Sequence, residues 1–298
     1  MKILLTGGSG QLGQEIIKYK PKEVEIFNPS RNILDLSDFM ACKKIVEDQK
    51  PDWVVNCGAY TQVDAAEKNI QLSQKINGYA PAAFTEAINR LNSNLLHIST
   101  DFVFDGNQNF PYNENQNTNP LSQYGASKAL GEELIKNKIE DIEKATILRT
   151  SWLISPRGKN FILTMLKLHS EKDSLKVVSD QIGCPTSAGE LAKVCWKIIK
   201  LKKKKKLPFI LHWCDAGVTS WFDIAVAVGE IAKELDINKK EAIIFPINTS
   251  EYPRSAKRPK YSILNTRKTS QLLEVQANHW RKNLRNILIE FQNLKKFK

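Results

Sequence analysis

No stretch of the 298 residues approaches the roughly 20 consecutive apolar residues that a membrane-spanning helix requires. The first residues, Met1 to Leu5, run straight into a glycine-rich turn, so neither a secretory leader nor a membrane association is expected. Cysteine is sparse. Cys42, Cys57, Cys184, Cys195 and Cys214 are an odd set of five without a Cys-x-x-Cys pair, which argues against a disulfide framework and for free thiols in a reducing, cytoplasmic compartment. The four histidines, His97, His169, His212 and His279, are scattered without zinc-ligand spacing. Basic motifs interleaved with aromatics are also missing. The formal net charge of +12 therefore points to an anionic small molecule rather than to nucleic acid. The densest basic run, Lys202 to Lys206, follows the apolar stretch Val194 to Leu201 and reads as a solvated helix end, where lysines suit the dipole.

What the chain does have is a core. Hydrophobic residues make up 42%, and they recur in alternating strand and helix patterns. Strands are expected at Lys2–Thr6, Val24–Phe27, Trp53–Asn56, Asn94–Ser99 and Ala145–Trp152. Helices are expected at Gln14–Tyr19, Phe39–Asp48, Asn77–Leu91 and Ser122–Lys136. This alternation implies an α/β fold with a doubly wound, Rossmann-type parallel sheet over residues 1–152. Residues 153–298 are less regular. Phe161–Leu168 and Asp223–Leu235 read as helices, Leu175–Ser179 as a strand, and Trp280, Leu284, Leu288 and Phe291 share one face of a closing helix. They imply a smaller C-terminal substrate-binding lobe, with a segment near 208–235 returning to the first domain.

Gly7, Gly10 and Gly13 stand between the first strand and the first helix with G-x-x-G-x-x-G spacing. Glycines there allow a tight turn, a close approach of backbone to a pyrophosphate and close helix–strand packing, while the helix N-terminus offers unpaired N–H groups. At the end of the second strand, Phe27-Asn28-Pro29-Ser30-Arg31 carries no carboxylate to bond a ribose 2′-hydroxyl. Arg31 either pairs with a 2′-phosphate, favouring NADPH over NADH, or is a surface arginine in a turn. Tyr124 and Lys128 form Tyr-x-x-x-Lys on one helix face. A neighbouring ammonium is expected to lower the tyrosine pKa from its ordinary ~10 and so fit it for general acid catalysis. Upstream, Ser99 or Thr100 ends a strand with a hydroxyl that could orient a substrate oxygen, and Thr100 is preferred.

With these pieces the chain resembles the extended short-chain dehydrogenase/reductase superfamily and, within it, is similar to the dTDP-4-dehydrorhamnose reductase family. The resemblance rests on ordered blocks along nearly the whole chain: Leu5 to Gly13, Asn56 to Asp64 with Glu67, Ser99 to Gly106, Pro111-Tyr112, Glu114, the Tyr124 helix with Gly131-Glu132, Arg149 to Trp152, Asp180 to Thr186, and Arg258-Pro259. It implies NAD(P)H-dependent reduction of the 4-keto group of dTDP-4-dehydro-6-deoxy-L-mannose. It implies a catalytic trio of Thr100, Tyr124 and Lys128, and cofactor contacts from Gln11, Leu12, Asp35, Leu36, Ala59, Tyr60 and Thr61. It also implies substrate contacts from Asp101, Trp152 and Arg258. By the same resemblance, Glu15, Glu190 and Glu290 are candidates for magnesium at a homodimer interface, or are simply surface acids on helices. Ile154-Ser155-Pro156-Arg157-Gly158 departs from the usual aromatic and glycine after the tryptophan, and Asn265 replaces a common aspartate.

Other functions remain open at the level of sequence. A dehydratase would need a glutamate where Phe102 follows Asp101. Another nucleotide-sugar 4-reductase, a 4-epimerase or a non-catalytic NADP-binding regulatory subunit would share most of these residues.

Overall fold

The first half of the chain forms β1 (Lys2–Thr6), α1 (Gln11–Lys18), β2 (Glu25–Phe27), α2 (Phe39–Gln49), β3 (Trp53–Asn56), α3 (Val63–Ala66), α4 (Ile70–Gln74), α5 (Ala80–Asn89), β4 (Asn94–Thr100), α6 (Gln123–Lys138) and β5 (Ala145–Thr150). The second half forms β6 (Leu153–Ile154), α7 (Phe161–Glu171), β7 (Ser174–Val178), β8 (Ile182–Gly183), β9 (Thr186–Ser187), α8 (Ala188–Lys202), β10 (Ile210–His212), β11 (Thr219–Ser220), α9 (Trp221–Glu234), β12 (Ile243–Ile247), α10 (Arg267–Leu273) and α11 (Trp280–Lys296). The structure is a computed structural model and describes residues 1–202 and 204–296. Lys203, within the lysine run expected at a helix end, lies outside the described residues.

Six strands pair in the order β10-β5-β4-β3-β1-β2, each neighbour parallel to the next. Alternate side chains leave opposite faces of a strand, so apolar runs serve two cores at once. Ile3, Leu5, Val55, Leu96 and Leu148 pack with α1, α8 and α10, while Leu4, Val54, Leu95 and Ile147 pack with α2, α5 and α6. The strand expected to reach Trp152 ends at Thr150, because Trp152 turns the chain with φ at 43°.

The second half is shared between two cores. α7, α9 and α11 meet through Leu166, Val228, Ile231, Leu284 and Leu288, with Val177 of the parallel β7–β12 pair. The expectation for 208–235 needs correction: β10 joins the main sheet beside β5, but α9 stays in the lobe. The cause is β11, which pairs antiparallel with β8 and holds the start of α9 away from the sheet. α8 and α10 come back instead, burying Leu191, Cys195, Ile199 and Leu273 under the sheet. The helix expected over 77–91 is also different, since a π turn at Lys75–Tyr79 precedes α5.

Below the sheet's carboxyl edge lies a buried ion pair. Arg149 of β5 places Nη2 2.5 Å and Nε 2.9 Å from the carboxylate of Glu132 on α6, and the Ser99 hydroxyl of β4 donates to the same carboxylate at 2.5 Å. Arg149 and Glu132 are 2% and 5% exposed, so neither charge can be rescued by water. Removing one partner strands the other, at a cost of about 3–5 kcal/mol. Arg149→Met should therefore lower the urea unfolding free energy by about that amount. The Arg149→Met/Glu132→Leu pair should recover a large part of it, since the two changes couple.

Candidate active site

Strand order reverses at β1, whose chain neighbour β2 lies on one side and β3 on the other. Ligands of open α/β sheets bind in the crevice at such a switch point. Here a cleft of about 810 Å³ opens there, beyond the carboxyl ends of β1, β3, β4 and β5. The turn into it depends on glycine. Gly7 has φ at 68°, and a Cβ on Gly13 would lie 2.3 Å from the Gly7 carbonyl oxygen. Gly10 caps α1 without a side-chain bond, leaving the helix N-terminus open to an anion. The cleft brings together Gly7, Gly10, Gln11, Leu12, Gly13, Arg31, Asp35, Leu36, Ala59, Thr61, Thr100, Tyr124, Lys128 and Trp152 from the residues singled out in the sequence. Arg31 is exposed at the cleft wall, close enough to Asp35 to act on its charge. Ser37, through its backbone N–H and its hydroxyl, is the main cause that holds the Asp35 carboxyl below its usual range.

α6 delivers the tyrosine and lysine. Ser122 caps it by accepting from the Gly125 N–H, and Glu67 accepts from the Gln123 N–H. A Cβ on Gly125 would lie 2.2 Å from the Phe102 carbonyl oxygen, so only glycine lets the helix start press against the turn that follows Thr100. Phe102 meets Tyr124 edge to face at 5.6 Å. Burial pushes the Tyr124 phenol up to about 12, a hydrogen bond with Thr100 pulls down, and Asp101 pushes up again. The net shift is upward, where a neighbouring ammonium was expected to bring the phenol down: burial outweighs the lowering contact, and the Lys128 ammonium bonds the Ile98 carbonyl, 2.6 Å away.

Three supporting residues escaped the sequence reading. Asn77, in the π turn, accepts from the Tyr60 N–H at 2.8 Å, donates to the Tyr60 carbonyl at 3.0 Å and donates to the Ser127 hydroxyl at 2.9 Å. It thus ties the loop 59–61 to α6 at Ser127, the residue before Lys128. Asn56 and His97 are both 1% exposed and sit beneath Lys128. A π turn has no periodic signature, so the residue it redirects is invisible in the apolar pattern.

The opposite wall carries Trp152, whose indole stacks on Trp221 at 3.8 Å with 12° between the rings. Trp221 is steadied by Phe161 and by donating to Gln181 at 3.2 Å. Next to it, the loop 155–160 reaches the nucleotide turn through Asn160, which donates to the Gln11 side chain at 2.9 Å.

Several expected contacts lie elsewhere. Asp101 is 1% exposed and does not line the cleft; it accepts from the Thr100 hydroxyl at 3.0 Å. Burial raises its carboxyl to about 6. Tyr60 contributes backbone to Asn77 rather than a wall to the cleft. Arg258 is taken up by Asp64, at 2.8 and 3.2 Å, instead of facing the cleft. Within one chain the three glutamates are engaged by cations. Arg157 bonds Glu15 and Glu290 at 3.0 Å each, Lys18 bonds Glu290 at 2.8 Å, and Glu190 pairs with Lys193 at 2.7 Å. Among the described residues, no three His, Cys, Asp or Glu side chains gather to hold a metal. Arg157, which bridges Glu15 and Glu290, belongs to the loop that departs from the usual pattern.

Fold and cleft together define a nicotinamide-dependent oxidoreductase of the short-chain dehydrogenase/reductase type. The family described as RmlD substrate binding domain matches residues 1–293, and the chain belongs to that family. It is 37% identical over 290 residues to the spore coat polysaccharide biosynthesis protein SpsK of Bacillus subtilis, covering 97% of each chain. It is 36% identical over 290 residues to the dTDP-4-dehydrorhamnose reductase of Aggregatibacter actinomycetemcomitans, covering 96% of this chain and 98% of that one. The crystal structure of dTDP-4-dehydrorhamnose reductase from Bacillus anthracis in complex with NADP superposes with a TM-score of 0.89 at 33% identity, covering 97% of this chain and 99% of that one.

The 2.3 Å approach at Gly13 gives a direct check. Gly13→Ala should weaken NADP⁺ binding by about tenfold or more, read by fluorescence titration, with the far-UV circular dichroism unchanged.

Proposed function

We propose that this chain reduces the 4-keto group of dTDP-4-dehydro-6-deoxy-L-mannose, with NADPH preferred over NADH, to give dTDP-L-rhamnose in the cytoplasm. The observation that carries the reading is that Thr100, Tyr124 and Lys128 line the same cleft as the Gly7–Gly13 turn, at the switch point of the sheet. The size of the cleft suits a dinucleotide with a sugar beside it. The open N-terminus of α1 would take the pyrophosphate, and Arg31 the 2′-phosphate.

The dihydronicotinamide, when bound, supplies the hydride for the carbonyl carbon. The chain's own part is to handle the proton and the charge. Tyr124 enters the reaction protonated, since its phenol is held at about 12. It gives that proton to the carbonyl oxygen as negative charge develops there. Thr100, fixed by Asp101 and by the Phe102 N–H, holds its hydroxyl beside Tyr124 and orients the same oxygen. Lys128, in its charged form, stabilises the phenolate left behind. Trp152, backed by Trp221, offers an apolar wall to the sugar. The carboxylates Glu15 and Glu290 are neutralised within the chain by Lys18 and Arg157.

The test is NADPH oxidation followed at 340 nm with the enzymatically prepared keto sugar. Tyr124→Phe should keep NADP⁺ affinity and lose turnover by ~10²–10⁴-fold, and unchanged turnover would remove Tyr124 from the mechanism. In the same assay Arg31→Ala should raise KM for NADPH by about tenfold and leave KM for NADH alone, the signature of a lost phosphate contact.

A further inference from the structure

Lys128 is 2% exposed, and its polar contacts are the Ile98 carbonyl at 2.6 Å and His97 Nε2 at 3.2 Å. The direction of the second contact can be worked out from the buried chain behind it. The Gly58 N–H donates to the Thr6 hydroxyl oxygen at 3.1 Å. The Thr6 hydroxyl then needs an acceptor for its own proton, and Asn56 Oδ1 lies 2.6 Å away. That assignment leaves Asn56 Nδ2 facing His97 Nδ1 at 3.0 Å, so Nδ1 accepts. The opposite amide orientation would aim two N–H groups at the Thr6 oxygen and take away the acceptor of its hydroxyl proton. Thr6, Asn56 and His97 are at most 2% exposed, so water does not offer an escape. A neutral imidazole that accepts at Nδ1 carries its proton at Nε2. His97 is held neutral, because burial first and the Lys128 charge second drive its pKa well below the ordinary value. The chain therefore ends with an N–H pointed at the lysine.

We propose that His97 is a positioning residue for the reduction, presenting its Nε2–H to Lys128 so that the lysine gives up its proton more readily than its other surroundings dictate. The proposal rests on the role given to Lys128 above. An N–H facing an ammonium is unfavourable, whereas an N–H facing a neutral amine is a hydrogen bond. The remaining groups around the lysine act in known directions. Burial lowers its pKa, while Glu132 on the same helix and Cys57 beyond β3 raise it, with a net value of about 8. The hydrogen-bond chain begins at Gly58, whose backbone lies against Gly7 in the nucleotide turn. The cofactor loop and the lysine are thereby joined through three buried side chains from β1, β3 and β4.

Two measurements on the full chain test this. In the cofactor-free protein, ¹⁵N NMR of the His97 ring should show the proton on Nε2 and a bare Nδ1 at pH 7; the reverse tautomer would overturn the proposal. In NADPH oxidation, kcat/KM should fall as pH rises and Lys128 loses its proton, with this basic limb below the value of about 8 that burial, Glu132 and Cys57 set for the lysine. His97→Leu removes the opposing N–H, and Asn56→Leu frees the ring to turn the other way. Both variants should move this basic limb upward by about one pH unit, the size of one hydrogen bond to a charged group. A limb that stays in place or moves down, even with lowered turnover, would reduce His97 to a structural residue and overturn the proposal. If the chain fails to reduce the keto sugar at any pH, the reading of the reaction falls, and the NMR tautomer still decides the arrangement of His97.

Discussion

A lysine buried to 2% exposure at the foot of the cleft is the constraint around which the rest is arranged. A buried ammonium is costly unless its surroundings answer it. Lys128 is met by the Ile98 carbonyl and by His97, not by a bonded carboxylate, and burial brings its pKa down to about 8. That arrangement needs α6 pressed hard against the end of β4. Gly125 supplies the close approach, Ser122 and Glu67 cap the helix start, and the Arg149–Glu132 pair with Ser99 clamps the helix to β4 and β5. The candidate proton-handling groups are thus held by elements of the sheet domain.

The lobe completes the cleft from the other side. Trp152 turns out of β5 with a left-handed backbone and lies flat on Trp221, the first residue of α9. A non-glycine residue in that conformation persists only where its surroundings hold it, and the stacked pair provides such a hold. The loop 155–160 spans from this wall to α1, through Asn160 on Gln11 and Arg157 on Glu15. Arg157 also reaches Glu290 on α11, so one guanidinium joins the nucleotide helix to the closing helix of the lobe.

Much of this was legible in the sequence, for identifiable physical reasons. The strands of the main sheet are buried on both faces and read as apolar runs. Gly7 and Gly13 sit where only glycine fits, and Tyr124 and Lys128 share a helix face. What was not legible depends on tertiary direction. The spacing of α9 gives its helical character but not the core it joins, which β11 decides. Asn77, Asn56 and His97 act through hydrogen bonds between elements far apart in the chain, and no periodicity marks them. Arg258 and the glutamates carry the right chemistry for an anion and a metal, yet Asp64, Lys18, Arg157 and Lys193 reach them first. A charge seen alone in a sequence does not reveal the neighbour that neutralises it.

The reductase reading stands or falls on the configuration of the product at C4. The chain is incubated with dTDP-4-dehydro-6-deoxy-L-mannose and limiting NADPH, and the sugar nucleotide is then identified by proton NMR. A single face of hydride delivery, set by Tyr124 and Thr100 on one wall and Trp152 on the other, gives one dTDP-L-rhamnose for each NADPH consumed. The C4 epimer, a mixture of the two, or isomerised sugar without net NADPH consumption would contradict it.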